Sequence, residues 1–90
     1  MESVIAVKAL DDFHLQLQFN TGEMRVFDAR PYLEKGIFQR LQDQRLFQQA
    51  FVGCDTVCWP GNLDIAPETL YDKSKPVLRP PLKSVLQSPA

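Results

Sequence analysis

The sequence predicts a small α+β domain: an antiparallel sheet, built as a three-strand meander plus one or two further strands, with short helices packed on one face. Three observations predict it. The first third alternates apolar and polar residues with period two between turn-forming clusters, and the middle switches to helical spacing in short runs. The stretch "TVCWPGNLDIAPETLY", Thr56 to Tyr71, then returns to strand alternation around a Pro-Gly pair. The chain has 90 residues, which is one domain, and its 44% hydrophobic share with 10% aromatics is enough to build a core.

The first strand is "VIAVKAL", Val4 to Leu10, where Ile5 and Val7 fall on one face and Val4 and Ala6 on the other. The second is clearer: Phe13, Leu15, Leu17 and Phe19 alternate with His14, Gln16 and Gln18, the pattern of a half-buried strand. Asp11-Asp12 before it and Asn20-Thr21-Gly22 after it are turn chemistry. A third strand, "EMRVFD", sets Met24 and Val26 against Arg25 and Phe27. Sequential strands joined by short turns pair antiparallel, because a tight turn cannot serve parallel neighbours.

The period then changes. Asp28 is placed to cap a helical turn starting near Pro31, and Gly36 ends that turn. Ile37, Phe38 and Leu41, then Leu46, Phe47 and Ala50 after Asp43 as N-cap, share the spacing i, i+1, i+4. Runs of about two turns are helical only when packed, so they belong on the apolar face of the sheet. Phe51-Val52 and Thr56 to Trp59 restore strand character. Val57 and Trp59 share one face, and Cys58 points the other way. Pro60-Gly61 suits the centre of a type II turn, Leu63 and Ile65 resume alternation with Asp64 facing away, and Pro67 starts a last helical turn that sets Leu70 and Tyr71 against the body.

Charge divides the chain. Residues 1–71 hold ten acids and six bases, and residues 72–90 hold one acid, four bases and four of the seven prolines. This predicts a folded acidic domain over 1–71 and a mobile, proline-rich basic tail over 72–90. Nucleic-acid binding is disfavoured for the acidic body, since phosphate contacts dominate such affinity, and is left to the tail. No apolar run approaches the ~20 residues of a membrane span and no secretory signal opens the chain, so the expected compartment is the cytoplasm.

Candidate chemistry is sparse. Cys54 and Cys58 lack the paired Cys-x2-Cys spacing of structural zinc and read as reduced, packed thiols, so neither a metal nor a cofactor is expected. His14 has no nucleophile tied to it by any motif. Asp28 and Asp64 each precede a proline-started turn and read as braces for it; as a pair they would instead form a two-carboxylate site. No catalytic residue is assigned, and the residues that define fold or function are Asp28, Trp59, Pro60, Asp64, Leu70 and Tyr71.

The order of these features resembles the bacterial domain-of-unknown-function family 2442. The likeness lies in the hairpin "FNTGEMRVFD" from Phe19 to Asp28, the run "GIFQRLQDQRLF" from Gly36 to Phe47, and the Trp-Pro … Asp … Pro … Leu-Tyr signature from Thr56 to Tyr71. The resemblance implies an α+β fold and no established activity. Some members are fused to helix-turn-helix domains, and many resemble partners encoded in toxin–antitoxin-like gene pairs. The chain departs from the pattern in a shorter link between Phe51 and Trp59, and in having too few residues after Tyr71 for a helix-turn-helix domain. The expected function is a non-enzymatic protein-interaction or regulatory module with a partner encoded nearby. The alternative is a ligand-binding or enzymatic domain with a pocket near Asp28, Asp64 and Trp59.

Overall fold

Two antiparallel sheets carry the fold in the computed structural model, which describes residues 2–77. The first has the order β1 (Val4–Leu10), β2 (His14–Phe19), β3 (Met24–Asp28) and β7 (Lys75–Pro76). The second is β4 (Phe51–Gly53), β5 (Thr56–Trp59) and β6 (Leu63–Ile65). Short helices complete an α+β architecture, as the sequence predicts. The expected single sheet is two, because the helical stretch between β3 and β4 carries the chain away from the edge of β3. β1 lies against β4, and the Val4 N–H donates to the Asp55 carbonyl at 2.9 Å.

β2 follows its sequence pattern. Leu15, Leu17 and Phe19 are fully buried, while His14, Gln16 and Gln18 are half-buried on the opposite face. Phe13 leaves the strand: it sits in a 3-10 turn at Asp11–Phe13 and packs edge-on against Phe47 at 5.3 Å. β1 differs from its expected facing. Val4 pairs with Phe19 and Ala6 with Gln18, so Ile5 is an extra residue in a bulge. The bulge resets the alternation, placing Val4 with Val7 on the core side and leaving Ile5 54% exposed. In β3, Leu17 pairs with Arg25 and Leu15 with Phe27, so the core face receives an arginine beside a phenylalanine.

The connection from β3 contains 3-10 segments at Arg30–Tyr32 and Gly36–Gln42, then α1 (Gln44–Phe47). Asp43 caps α1 as expected, its Oδ1 accepting the Arg45 N–H at 3.0 Å. These pieces bury Leu33, Leu41 and Phe47. α2 (Pro67–Lys73) starts on a proline, buries Leu70, and stacks Tyr71 edge-on against Phe19 at 5.2 Å.

The boundary expected after Tyr71 falls inside α2. The chain then adds β7, with Lys75 opposite Val26 and Pro76 opposite Arg25, and the Val77 N–H donates to the Met24 carbonyl at 2.9 Å. A proline in a ladder lacks the N–H that would donate to a neighbouring strand. Pro76 is tolerated because β7 is the outermost strand among the described residues, where a missing N–H can face solvent. The remainder of the expected tail, residues 78–90, lies outside the described residues.

The hairpin between β4 and β5 turns on two residues, Cys54 at φ 50 and Asp55 at φ 67. A two-residue loop with both centres at positive φ favours glycine or asparagine, and cysteine there carries the steric cost of the left-handed region. Cys54→Gly is expected to raise stability by about 0.5–1 kcal/mol, the relief of that cost less glycine's added chain entropy. A thermal melt of the variant at or below wild type contradicts this.

Candidate functional site

Asp28 ends β3 beside its register partner His14. Its Oδ1 accepts the Arg30 backbone N–H at 3.0 Å and Arg30 Nε at 3.0 Å, and its Oδ2 accepts Arg30 Nη2 at 2.9 Å. Arg30 Nη1 donates to Asp12 Oδ2 at 3.0 Å, tying the strand end to the β1–β2 turn. The guanidinium holds the Asp28 carboxyl down to about 2. His14 Nδ1 lies 2.9 Å from the Asp12 carbonyl, which can only accept, so Nδ1 carries the proton. Nε2 is then turned toward Asp28 Oδ2, 3.8 Å away.

These groups form one wall of a concavity of about 360 Å³, with Lys73 and Lys75 on the other wall and Val26 between. It opens on the face of the first sheet that points away from the core. Two smaller hollows lie along the same face, one around Ala6, Gln16 and Gln18, and one around Gly22, Pro76 and Val77, with Met24 shared by both.

On the core side of β3 a second polar cluster ties down the C-terminal segment. Arg25 donates from Nε to Ser74 Oγ at 2.7 Å, from Nη2 to the Ser74 carbonyl at 2.8 Å, and from Nη1 to Glu23 Oε2 at 3.2 Å. Its guanidinium lies 4.4 Å from the Tyr71 ring centroid. The Tyr71 hydroxyl donates to Glu23 Oε1 at 2.8 Å. That bond lowers the Glu23 carboxyl and raises the Tyr71 hydroxyl from their ordinary values. The cluster satisfies a nearly buried charge and joins three separate segments, so it reads as a clamp.

A family model described as "Protein of unknown function (DUF2442)" matches residues 4–76. The chain belongs to this family. No curated protein matches it, and no solved structure does. The DUF2442 match runs from the first core residue of β1 to the end of β7, so it takes in the Arg25–Ser74 clamp and both lysines of the notch.

Within this DUF2442 chain the residues singled out from sequence separate into different roles. Trp59 is 1% exposed and donates from Nε1 to the Phe47 carbonyl at 2.8 Å, with the two rings 5.8 Å apart. Gly61, after Pro60, has φ +93, the sign the expected turn requires. A Cβ there would meet Arg40 Nη2 at 2.8 Å. Leu70 is core, and Tyr71 belongs to the clamp. Asp28 braces its turn by accepting the Arg30 N–H, but it is not the cap: the cap residue of that 3-10 segment is Ala29, with no side-chain cap bond. Asp64 does not brace its turn: the cap residue of α2 is Ala66, with no side-chain cap bond. Asp64 is exposed on β6 opposite Cys58, because strand alternation turns it away from Leu63 and Ile65.

Asp28 and Asp64 are therefore in different sheets and line different concavities, that of Asp64 being about 340 Å³ and bordered by Phe51, Cys58 and Trp59. The structure does not bring Asp28, Asp64 and Trp59 around one pocket. Cys54 is exposed; Cys58 is half-buried, donates to the Gly53 carbonyl at 3.5 Å, and is raised above the ordinary thiol range by burial. Among the described residues no cluster of His, Cys, Asp and Glu could hold a metal ion, and no helix is long and apolar enough to cross a membrane.

Arg25, Ser74, Lys73 and Lys75 were not singled out from sequence. Arg25 had a signal: it alternates in phase with Phe27, so whichever face buries one must accommodate the other. The lysines had none, since their role depends on β7 pairing with β3 across the length of the domain.

The Asp28 brace has a pH signature. Its pKa is lowered from 3.8 to about 2 in the fold, so the native state favours the ionised form. The associated stability is present above about pH 4 and is lost as pH falls toward about 2. In Asp28→Asn that part of the acid transition is expected to disappear, with a lower but flatter melting temperature between those pH values. An unchanged acid limb overturns the assignment.

Proposed function

We propose that this DUF2442 chain is a non-enzymatic protein-interaction module of the cytoplasm, one half of a regulatory or toxin–antitoxin-like pair, which binds its partner through the outer face of the four-stranded sheet. The observation that supports this reading is that face. Among the described residues no helix covers it, and it presents Ala6, Met24 and Val26 as a half-open apolar strip among Gln16, Gln18, Lys8 and Lys75. An apolar centre with a polar, charged rim is the makeup of a protein interface. Strand addition is a poorer fit, because β1 adjoins β4 and Pro76 removes a donor from the edge at β7. The resemblance to family members encoded beside a partner supplies the paired-gene part.

The experiment is co-purification and calorimetry of the chain with the product of the adjacent gene, using wild type and Val26→Asp. Binding by the wild type, lost in a variant that keeps its circular dichroism spectrum, supports the reading. No complex, or equal binding by the variant, removes it.

A further inference from the structure

We infer that the notch between His14, Asp28, Arg30, Lys73 and Lys75 is a binding site for a phosphoryl dianion. Its volume of about 360 Å³ lies within the roughly 300–1,000 Å³ typical of small-ligand pockets. Its charge is not balanced from within. Asp28 is the only acid among the lining residues, and both its oxygens are already bonded by Arg30, which also holds Asp12. Lys73 and Lys75 have no ion-pair partner among the described residues. Two unpaired ammonium groups on one wall match a dianion better than a single carboxylate, and lysine serves phosphate as a point charge.

The fold fixes this wall. Lys75 is set over Val26 by the β3–β7 ladder, and Ser74, between the two lysines, is locked by Arg25 from the other side of the sheet. Opposite, the Nδ1–H bond to the Asp12 carbonyl orients the His14 ring, and its Nε2 becomes a donor to an anion when the ring is protonated. Arg30 uses Nε once and each Nη once, so it keeps two unused N–H groups for a bound oxyanion. Two concavities of similar size lack this makeup: the one beside Trp59 has Asp64 and no base among its lining residues, and the one at Gly22 has Glu23 and no base. The inference rests on the notch alone and holds with or without a protein docked on the sheet face.

The test is an NMR titration of the isolated 90-residue chain with inorganic phosphate at fixed ionic strength. Saturable shifts are expected at His14, Val26 and Lys75. Lys73→Ala/Lys75→Ala is expected to weaken binding by about tenfold or more, the scale of losing one charge-assisted contact, and Lys8→Ala, on the same face outside the notch, to leave it unchanged. A second arm with O-phosphoserine separates the sources: equal affinity indicates a free phosphate, and tighter binding indicates a phosphoryl group carried on a residue. Both lysines are exposed, so the double variant keeps its melting temperature; if it does not, Lys75→Gln alone carries the comparison. Shifts that stay linear, that sodium chloride reproduces, or that persist undiminished in the lysine variant overturn the site.

Discussion

Trp59→Ala is expected to lower stability by about 3–5 kcal/mol, the usual cost of emptying a large aromatic site. The side chain is 1% exposed, its ring packs on Phe47, and its Nε1 satisfies the Phe47 carbonyl at the end of α1. Truncation removes the packing and also the Nε1 bond, leaving the Phe47 carbonyl only the Ala50 N–H at 3.3 Å, two costs that add. A domain this small has a total stability near the low end of about 5–15 kcal/mol, so the variant should be largely unfolded at 37 °C. Trp59→Phe keeps most of the ring contacts and loses only the donor, and is expected to cost about 1–3 kcal/mol. Urea unfolding followed by circular dichroism measures both. A loss below about 1 kcal/mol for the alanine variant would show that the second sheet does not depend on this ring.

Arg25→Ala comes next, at about 2–4 kcal/mol, within the range for removing one member of a mostly buried, charged hydrogen-bond network. The arginine side chain is only 12% exposed, and it joins Ser74, Glu23 and the Tyr71 ring. Arg25→Lys is expected to recover little, because one ammonium cannot reach Ser74 Oγ, the Ser74 carbonyl and Glu23 from a single point. Amide exchange provides a second readout. The Val77 amide bonded to the Met24 carbonyl should lose protection in Arg25→Ala before the amides of β1 and β2 do. Uniform loss across the first sheet would mean that the clamp has no local role.

Elements whose period is set by neighbours close in sequence were legible. The alternation in β2, the Asp43 cap, the Pro-Gly turn with Gly61 at positive φ, and the burial of Val57, Trp59, Leu63 and Ile65 all follow from a few adjacent residues. What was not legible depends on partners far along the chain. Ile5 could be assigned to the solvent only once β1 was aligned on β2 and the bulge located. Pro76 reads as a breaker until it is known that its strand has no outer neighbour among the described residues. Asp64 precedes a proline much as Asp28 does, yet a strand position turns it outward while Asp28 sits where its carboxylate meets Arg30. The notch belongs to the same class, because Lys75 reaches Val26 only through a pairing that closes the whole domain.

That closure also orders assembly in time. Ser74 and Arg25 are 49 residues apart, and Tyr71 and Glu23 are 48. A chain synthesised from its N-terminus can form β1, β2 and β3 from nearest-neighbour hairpins, contacts with little loop entropy to overcome. Until residue 74 emerges, however, Arg25 has only Glu23 to answer it on the apolar face, and the outer edge of β3 has no strand beside it. The early meander is thus a species with an open edge and a guanidinium only partly satisfied, the kind that mispairs with other chains. The last four residues of the family span therefore act as a latch, which turns a vulnerable intermediate into the native state.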